Sequence, residues 1–138
     1  MSRLTNKQSF RVIDANYNRA KEGIRVAEDI CRFILDDSKF TREYKKCRHD
    51  LSQLVTQLGY DQIIEARNIE KDVGKSSTHS ELKRQEWKDI YFANTQRVKE
   101  SVRVLEEFSK LLNKEIAQDL KKLRYRFYAI EKKTAQKI

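Results

Sequence analysis

The second half of this chain restates the first. Residues Ala15 to Asp29 align with Ala93 to Glu107 at a constant offset of 78 positions, and eight of the fifteen pairs are identical, among them Asn16/Asn94, Arg19/Arg97, Glu22/Glu100 and Glu28/Glu106. A fainter match follows at an offset of 76, Lys45-Lys46-Cys47-Arg48 against Lys121-Lys122-Leu123-Arg124. Apolar residues return every three or four positions through both copies, which is the period of a helix with one buried face. The pattern predicts helices from Phe10 to Leu35, from Ser38 as N-cap to about Leu58, from near Ser80 (Glu81 in its first turn) to Asn113, and from Ile116 to Thr134. Gly59 suits a C-cap. Each unit is then a helical hairpin. One hairpin cannot bury its apolar face alone, so two must pack together. The expectation is an all-α fold: duplicated helical hairpins packed as a helical bundle, one domain over 1–138, with repeats at about 10–58 and 86–135 joined by a 60–79 loop.

Composition agrees and excludes alternatives. The chain has 3 Gly and no Pro, too few turn formers for a many-stranded sandwich or barrel. No run approaches the roughly 18 apolar residues of a membrane span, and the first residues lack a signal-peptide core, so the expected compartment is cytoplasmic. Cys31 and Cys47 sit on apolar positions and read as buried free thiols. The net charge is +9, which favours anionic partners. Basic and acidic residues are interleaved and no nucleic-acid-binding motif appears, so nucleic acid is disfavoured.

Polar groups enter the apolar stripe at fixed places. At about 100° per residue, Asn16 lies in line with Gly23, Ala27 and Ile34, and Arg19 lies beside them. Asn94, Arg97 and Glu100 repeat that arrangement. A buried Asn or Arg must find a partner, so these residues either form a register-fixing network or line an anion site between the hairpins. Glu28 and Glu106 fall outside the stripe and read as surface ion-pairing groups; Arg25 and Arg103 are expected to pair with Asp29 and Glu107. Arg48 and Arg124 flank apolar positions and could reach the same site. In the linker, Gly74-Lys75-Ser76 resembles the end of a P-loop, but Ile69 stands where such a loop needs Gly and no strand precedes it. What remains is a turn at Gly74, with Lys75 and nearby amides able to meet phosphate and Asp72 able to hold a divalent ion. His49 and His79 belong to no metal motif, and Trp87 reads as a cover over the core with Ile90 and Tyr91.

Four blocks together resemble a known family: Arg11-Val12-Ile13-Asp14-Ala15-Asn16-Tyr17-Asn18-Arg19 on to Glu28-Asp29, then Asp72-Val73-Gly74, then Ala93-Asn94 through Glu106-Glu107-Phe108, and Leu123-Arg124-Tyr125-Arg126-Phe127-Tyr128. They are similar to the domain often fused ahead of thiamine-phosphate synthase, an all-helical hydroxymethylpyrimidine phosphate kinase of thiamine biosynthesis. The resemblance implies transfer of phosphate from ATP, with Mg²⁺, to the phosphorylated pyrimidine substrate 4-amino-5-hydroxymethyl-2-methylpyrimidine phosphate. It implies Arg19, Glu22, Asp72, Arg97 and Glu100 as catalytic residues, with Asp72 on the metal. Asn16, Arg67, Gly74, Lys75, Asn94 and Arg124 would bind substrate or phosphate. The family often has Asp after the linker Arg, where this chain has Asn68; if that Asp binds Mg²⁺, its replacement either weakens the kinase expectation or shifts metal binding to Asp72. The synthase itself is a (β/α)₈ barrel of about 250 residues, so this chain is expected to be the separate first domain. The rival expectation is a non-catalytic domain that binds a thiamine-phosphate synthase partner through an exposed apolar patch; a homodimer is compatible with either.

Overall fold

The computed structural model describes residues 4–78 and 82–138. Four long helices and one short one account for the ordered core: α1 (Asn6–Asp29), α2 (Ser38–Thr56), α3 (Tyr60–Glu65), α4 (Trp87–Ser109) and α5 (Lys114–Ala135), with no strand among the described residues. The local chemistry of each start is legible. Thr5 caps α1 by accepting from the Gln8 N–H, while the Gln8 side chain accepts from the Thr5 N–H. Asp37, one residue before the expected Ser38, caps α2. Asn113 caps α5 by accepting from the Glu115 and Ile116 amides.

Three boundaries differ from expectation. α1 does not run uniformly to Leu35. Residues Ile30–Ile34 form a π segment, in which the Leu35 N–H reaches back to the Ile30 carbonyl at 3.0 Å. It closes at Asp36, which takes a left-handed φ of 51°. The changed register turns Ile34, expected on the core face, outward. α4 begins at Trp87, because Asp89 folds back to accept from the Gln85 and Glu86 amides. Ser80 and Glu81, the expected start, and His79 lie outside the described residues. The 60–79 segment is not all loop: Gly59, at φ 109°, turns the chain directly from α2 into α3.

The long helices form a ring in which α1 touches α4, α4 touches α5, α5 touches α2 and α2 touches α1. Directions follow from contacts. Lys137 bonds Asp37 and lies over the Phe40 ring, whereas Arg126 bonds Asp50 at 2.7 Å, so α5 runs antiparallel to α2. Each hairpin is antiparallel too, so α1 and α4 are antiparallel. Ile13, Ile24, Leu51, Val55, Val102, Leu105, Leu120 and Leu123 fill the centre. Near one end, α2 and α4 meet through the Tyr44 and Tyr91 hydroxyls, 2.6 Å apart and buried. Trp87 and Ile90 only partly cover this end; Tyr91 alone of the three is enclosed.

Glu28 and Glu106 correct the sequence reading most sharply. Both are buried, at 3% and 4% exposure. Glu106 accepts from Nε of Arg124 at 2.9 Å, and Arg124 is itself buried. Glu28 accepts from Arg48 at 3.3 Å and from Arg25 at 2.9 Å. Arg25 therefore takes Glu28 rather than Asp29, while Arg103 takes Glu107 as expected. Helical spacing hid the carboxylates, because they face the second helix of their own hairpin rather than the main apolar stripe. Leaving a charge buried without its partner costs about 3–5 kcal/mol. Glu106→Ala is therefore predicted to lower unfolding stability by about that amount in urea titrations, while the neighbouring exposed Glu107→Ala leaves the midpoint unchanged.

Cys31 and Cys47 are free and buried, as their positions imply. Burial pushes both thiols up to about 11. At pH 8 only about a thousandth of each is then thiolate in the folded protein. The expected result is negligible reaction with a disulfide reagent under native conditions and reaction of both thiols in guanidinium.

Candidate functional site

The place where α1 and α4 cross sets the site. Gly23 lies against the second helix so closely that a Cβ would sit 2.7 Å from Val98 Cγ2 and 3.0 Å from the Asn94 carbonyl oxygen. With antiparallel helices, this contact puts Arg19 about level with Glu100 and Arg97 about level with Glu22, so the two arginines lie diagonally across the crossing. Both are exposed, as are Glu22 and Glu100 one turn further along each helix. The outer side of the α1/α4 pair thus presents two guanidinium groups flanked by two carboxylates. Arg97 and Glu22 have no hydrogen-bond or ion-pair partner among the described residues, and Glu100 accepts only from Gln96, at 2.9 Å.

The two asparagines are partly engaged by their own helices. Asn16 is buried and donates through Nδ2 to the Val12 carbonyl at 2.9 Å; Asn94 donates to the Ile90 carbonyl at 2.8 Å. The remaining oxygen of Asn16 accepts from Arg19 Nη1 at 3.4 Å, a long bond that aligns Arg19 only loosely. The side-chain oxygen of Asn94 accepts nothing from the described residues. Chemically, this face can take an anion between the arginines, or pair with charges of both signs on another surface.

The linker residues fall elsewhere. Arg67 grips Asp14 in a fork, Nε to Oδ2 at 2.8 Å and Nη2 to Oδ1 at 2.7 Å. The carboxylate raises the guanidinium's proton affinity further. Arg11 adds a bond to the Asn68 carbonyl at 3.0 Å. Sequence reasoning missed Asp14, since nothing in a linear pattern reports a partner 53 residues away. Arg124 points at Glu106, inside its own hairpin, rather than at the α1/α4 face. Asp72 closes a small turn by accepting the Gly74 N–H at 2.8 Å. The expected turn at Gly74 is therefore present, but Gly74 does not adopt a left-handed φ and a Cβ there would meet only Asp72 Oδ1 at 3.6 Å, so the turn does not depend on glycine. Asp72, Gly74 and Lys75 are all exposed. No group of three His, Cys, Asp or Glu side chains capable of holding a metal occurs among the described residues. Asp72 is a single carboxylate, suited at most to an ion that brings its remaining oxygens on phosphates.

One hollow was not legible in the sequence. A cavity of about 330 Å³ opens beside the first turns of α1 and is lined by Asn6, Lys7, Phe10, Gln62, Glu65 and Ala66. It exists because α3 folds the start of the linker back onto α1. Lys7 is twelve residues, about 18 Å along the helix, from Arg19, and none of the expected site residues lines this cavity.

The comparisons with known proteins agree on one grouping. The model of the ThiD2 family matches residues 11–133. The chain is similar to the thiamine-phosphate synthase of Nostoc punctiforme, 39% identical over 123 residues that cover 88% of this chain and 34% of that protein. It is similar to the thiamine-phosphate synthase of Synechocystis, 40% identical over 122 residues, with 88% and 34% covered. It is likewise similar to that of Rhodopirellula baltica, 38% identical over 130 residues, with 91% and 35% covered. The chain therefore spans about a third of the length of the curated relatives it matches. No solved structure matches it. No helix among the described residues is long and apolar enough to cross a membrane.

The Asp14–Arg67 fork generates a prediction of its own. Arg67→Ala should free the segment after α3, read as several-fold faster tryptic cleavage at Lys71 and Lys75. The denaturation midpoint should fall as well, because the Asp14 side chain, only 7% exposed, is left without its cation.

Proposed function

This chain belongs to the ThiD2 family, and we propose from that premise that it works in thiamine biosynthesis as a domain that binds a thiamine-phosphate synthase partner. The observation that carries the reading is the coverage. Some nine-tenths of this chain corresponds to about a third of proteins named thiamine-phosphate synthase. A domain repeatedly joined to a synthase gains from touching it, and a tether raises the effective concentration of even a weak contact. The protein's surface suits such a role: Phe33, Ile34, Trp87, Ile90 and Leu111 are large apolar residues left exposed on a small bundle. The test is calorimetric titration of the purified chain with the thiamine-phosphate synthase of the same genome. Saturable binding is expected; a flat titration, together with independent elution of the two proteins, would sink the reading.

A second reading is favoured by the open Arg19/Arg97 face, whose carboxylates and guanidinium groups are duplicated and left without strong internal partners. In this reading the domain is a kinase. An oxygen of the phosphorylated pyrimidine substrate attacks the γ-phosphorus of ATP. A new P–O bond forms, the bond to the β,γ-bridging oxygen breaks, and ADP leaves with that oxygen. Arg19 and Arg97 would neutralise the crowded phosphate oxygens, with Lys75 brought in by the linker. Glu22 and Glu100 would orient the arginines or accept a proton, and Asn94 would offer its free amide oxygen to the pyrimidine amine. Asp72 would ligate the Mg²⁺ that accompanies the nucleotide, and Asn16 would steady Arg19. Arg67 would act through its hold on the linker and Arg124 through its hold on the hairpin. Incubation with ATP, Mg²⁺ and the pyrimidine monophosphate, followed by mass spectrometry, separates the readings. A pyrimidine diphosphate that falls at least about 100-fold in Arg19→Ala and Arg97→Ala would establish the kinase; no product above the enzyme-free control removes it.

A further inference from the structure

The face that α1 and α4 turn away from the core carries more apolar surface than a single bundle needs. On α1, Val12, Ala15 and Val26 stand four or seven residues from Arg19, so they share its side of the helix. Their counterparts on α4, at the repeat offset of 78, are Ile90, Ala93 and Val104. All six are exposed or half-buried. A helix packed on one side only usually turns charged and polar residues to the other. Here apolar side chains flank a compact quartet of charges, Arg19, Glu22, Arg97 and Glu100, all exposed.

The quartet has an order. Because Arg19 stands level with Glu100 and Arg97 with Glu22, the four charges alternate in sign around the crossing of the two helices. They are not spent on one another: Arg19 reaches only the Asn16 oxygen, at 3.4 Å, and Glu100 only Gln96. Other exposed charges, such as Arg103 with Glu107 and Arg126 with Asp50, are closed within the chain. An alternating square is its own complement. When a second copy is laid face to face and turned by half a revolution about an axis lying in the face, every Arg meets a Glu. With the axis along the helices, Arg19 meets the second copy's Glu100; with the axis across them, it meets the second copy's Glu22. A two-fold interface requires this property, since one patch must face itself. The net charge of +9 makes two copies repel over much of their surface. A patch with equal numbers of both signs is where they can approach.

We propose that two copies of this chain associate through their α1/α4 faces, with arginine–glutamate pairs at the centre and the flanking apolar residues packed around them. The inference goes beyond the partner-binding reading and is independent of it, because both ends of the bundle stay free. It competes with the kinase reading for the same residues, since a closed face leaves no room for ATP between Arg19 and Arg97.

The test is sedimentation equilibrium on the wild-type chain and two double variants. Arg19→Glu/Arg97→Glu makes the face wholly acidic and lowers the net positive charge; Glu22→Arg/Glu100→Arg makes it wholly basic and raises that charge. Circular dichroism and denaturation midpoints verify that each is folded. Expected are a wild-type dimer, a weakening of at least about 100-fold in each variant alone, and a one-to-one pair when the two variants are mixed. The restored pair is the decisive readout, because a variant that had lost its fold could not supply it. A wild type that stays monomeric at every concentration overturns the proposal and leaves the partner-binding reading untouched. A dimer that both variants retain places the contact on another surface and overturns it too, as does a dimer that both variants lose and mixing does not restore.

Discussion

Each hairpin in this protein is closed around a carboxylate that has almost no access to water. Glu106 and Arg124 are both buried and joined at 2.9 Å, and Glu28 is held by Arg48 and Arg25. Such pairs contribute little net stability over an apolar contact of the same shape, but losing one partner is costly. Their effect is to make one alignment of the two helices acceptable and neighbouring alignments poor. Apolar stripes alone tolerate sliding by a turn; a buried ion pair does not. With each hairpin's register set this way, the crossing of α1 and α4 at Gly23 follows, and with it the placement of the exposed arginines.

The division of polar residues follows from that constraint. Of the repeated set, Glu28 and Glu106 turn inward and hold the hairpins, while Arg19, Arg97, Glu22 and Glu100 stay outside. Repetition in the sequence thus mixes two roles that only the third dimension separates. The linker is tied down separately by Arg67 on Asp14, which fixes its first residues to α1 and leaves Asp72 to Lys75 exposed.

The fold was legible because helical periodicity and duplication are strong, local signals. The four helices, their hairpin pairing and the buried thiols follow from the positions of Ile13, Ile24, Leu51, Leu105 and Leu120 and their neighbours. What was not legible depends on partners distant in the chain or on small changes of helical pitch. Glu106 reads as a surface residue until Arg124 is seen beside it. Ile34 reads as core until the π segment rotates it away. The start of α4 shifted because one side chain, Asp89, caps the helix at Trp87, seven residues later than the pattern suggested. At the site, the wheel placed Asn16 and Arg19 side by side, as they are, but could not show that Asn16 donates to its own helix.

The wider turn after α1 also explains an irregularity of the duplication. Glu28 and its arginine are 20 residues apart, whereas Glu106 and its arginine are 18 apart. The same ion pair is reached over unequal lengths of chain because the first copy takes up its two additional residues at the hairpin tip, in the π segment and the left-handed Asp36. The insertion therefore breaks the near-symmetry of the molecule without disturbing either hairpin's alignment. Together with α3, which packs on α1 and has no counterpart beside α4, it gives the bundle a polarity: the two ends of a duplicated protein become a distinguishable top and bottom.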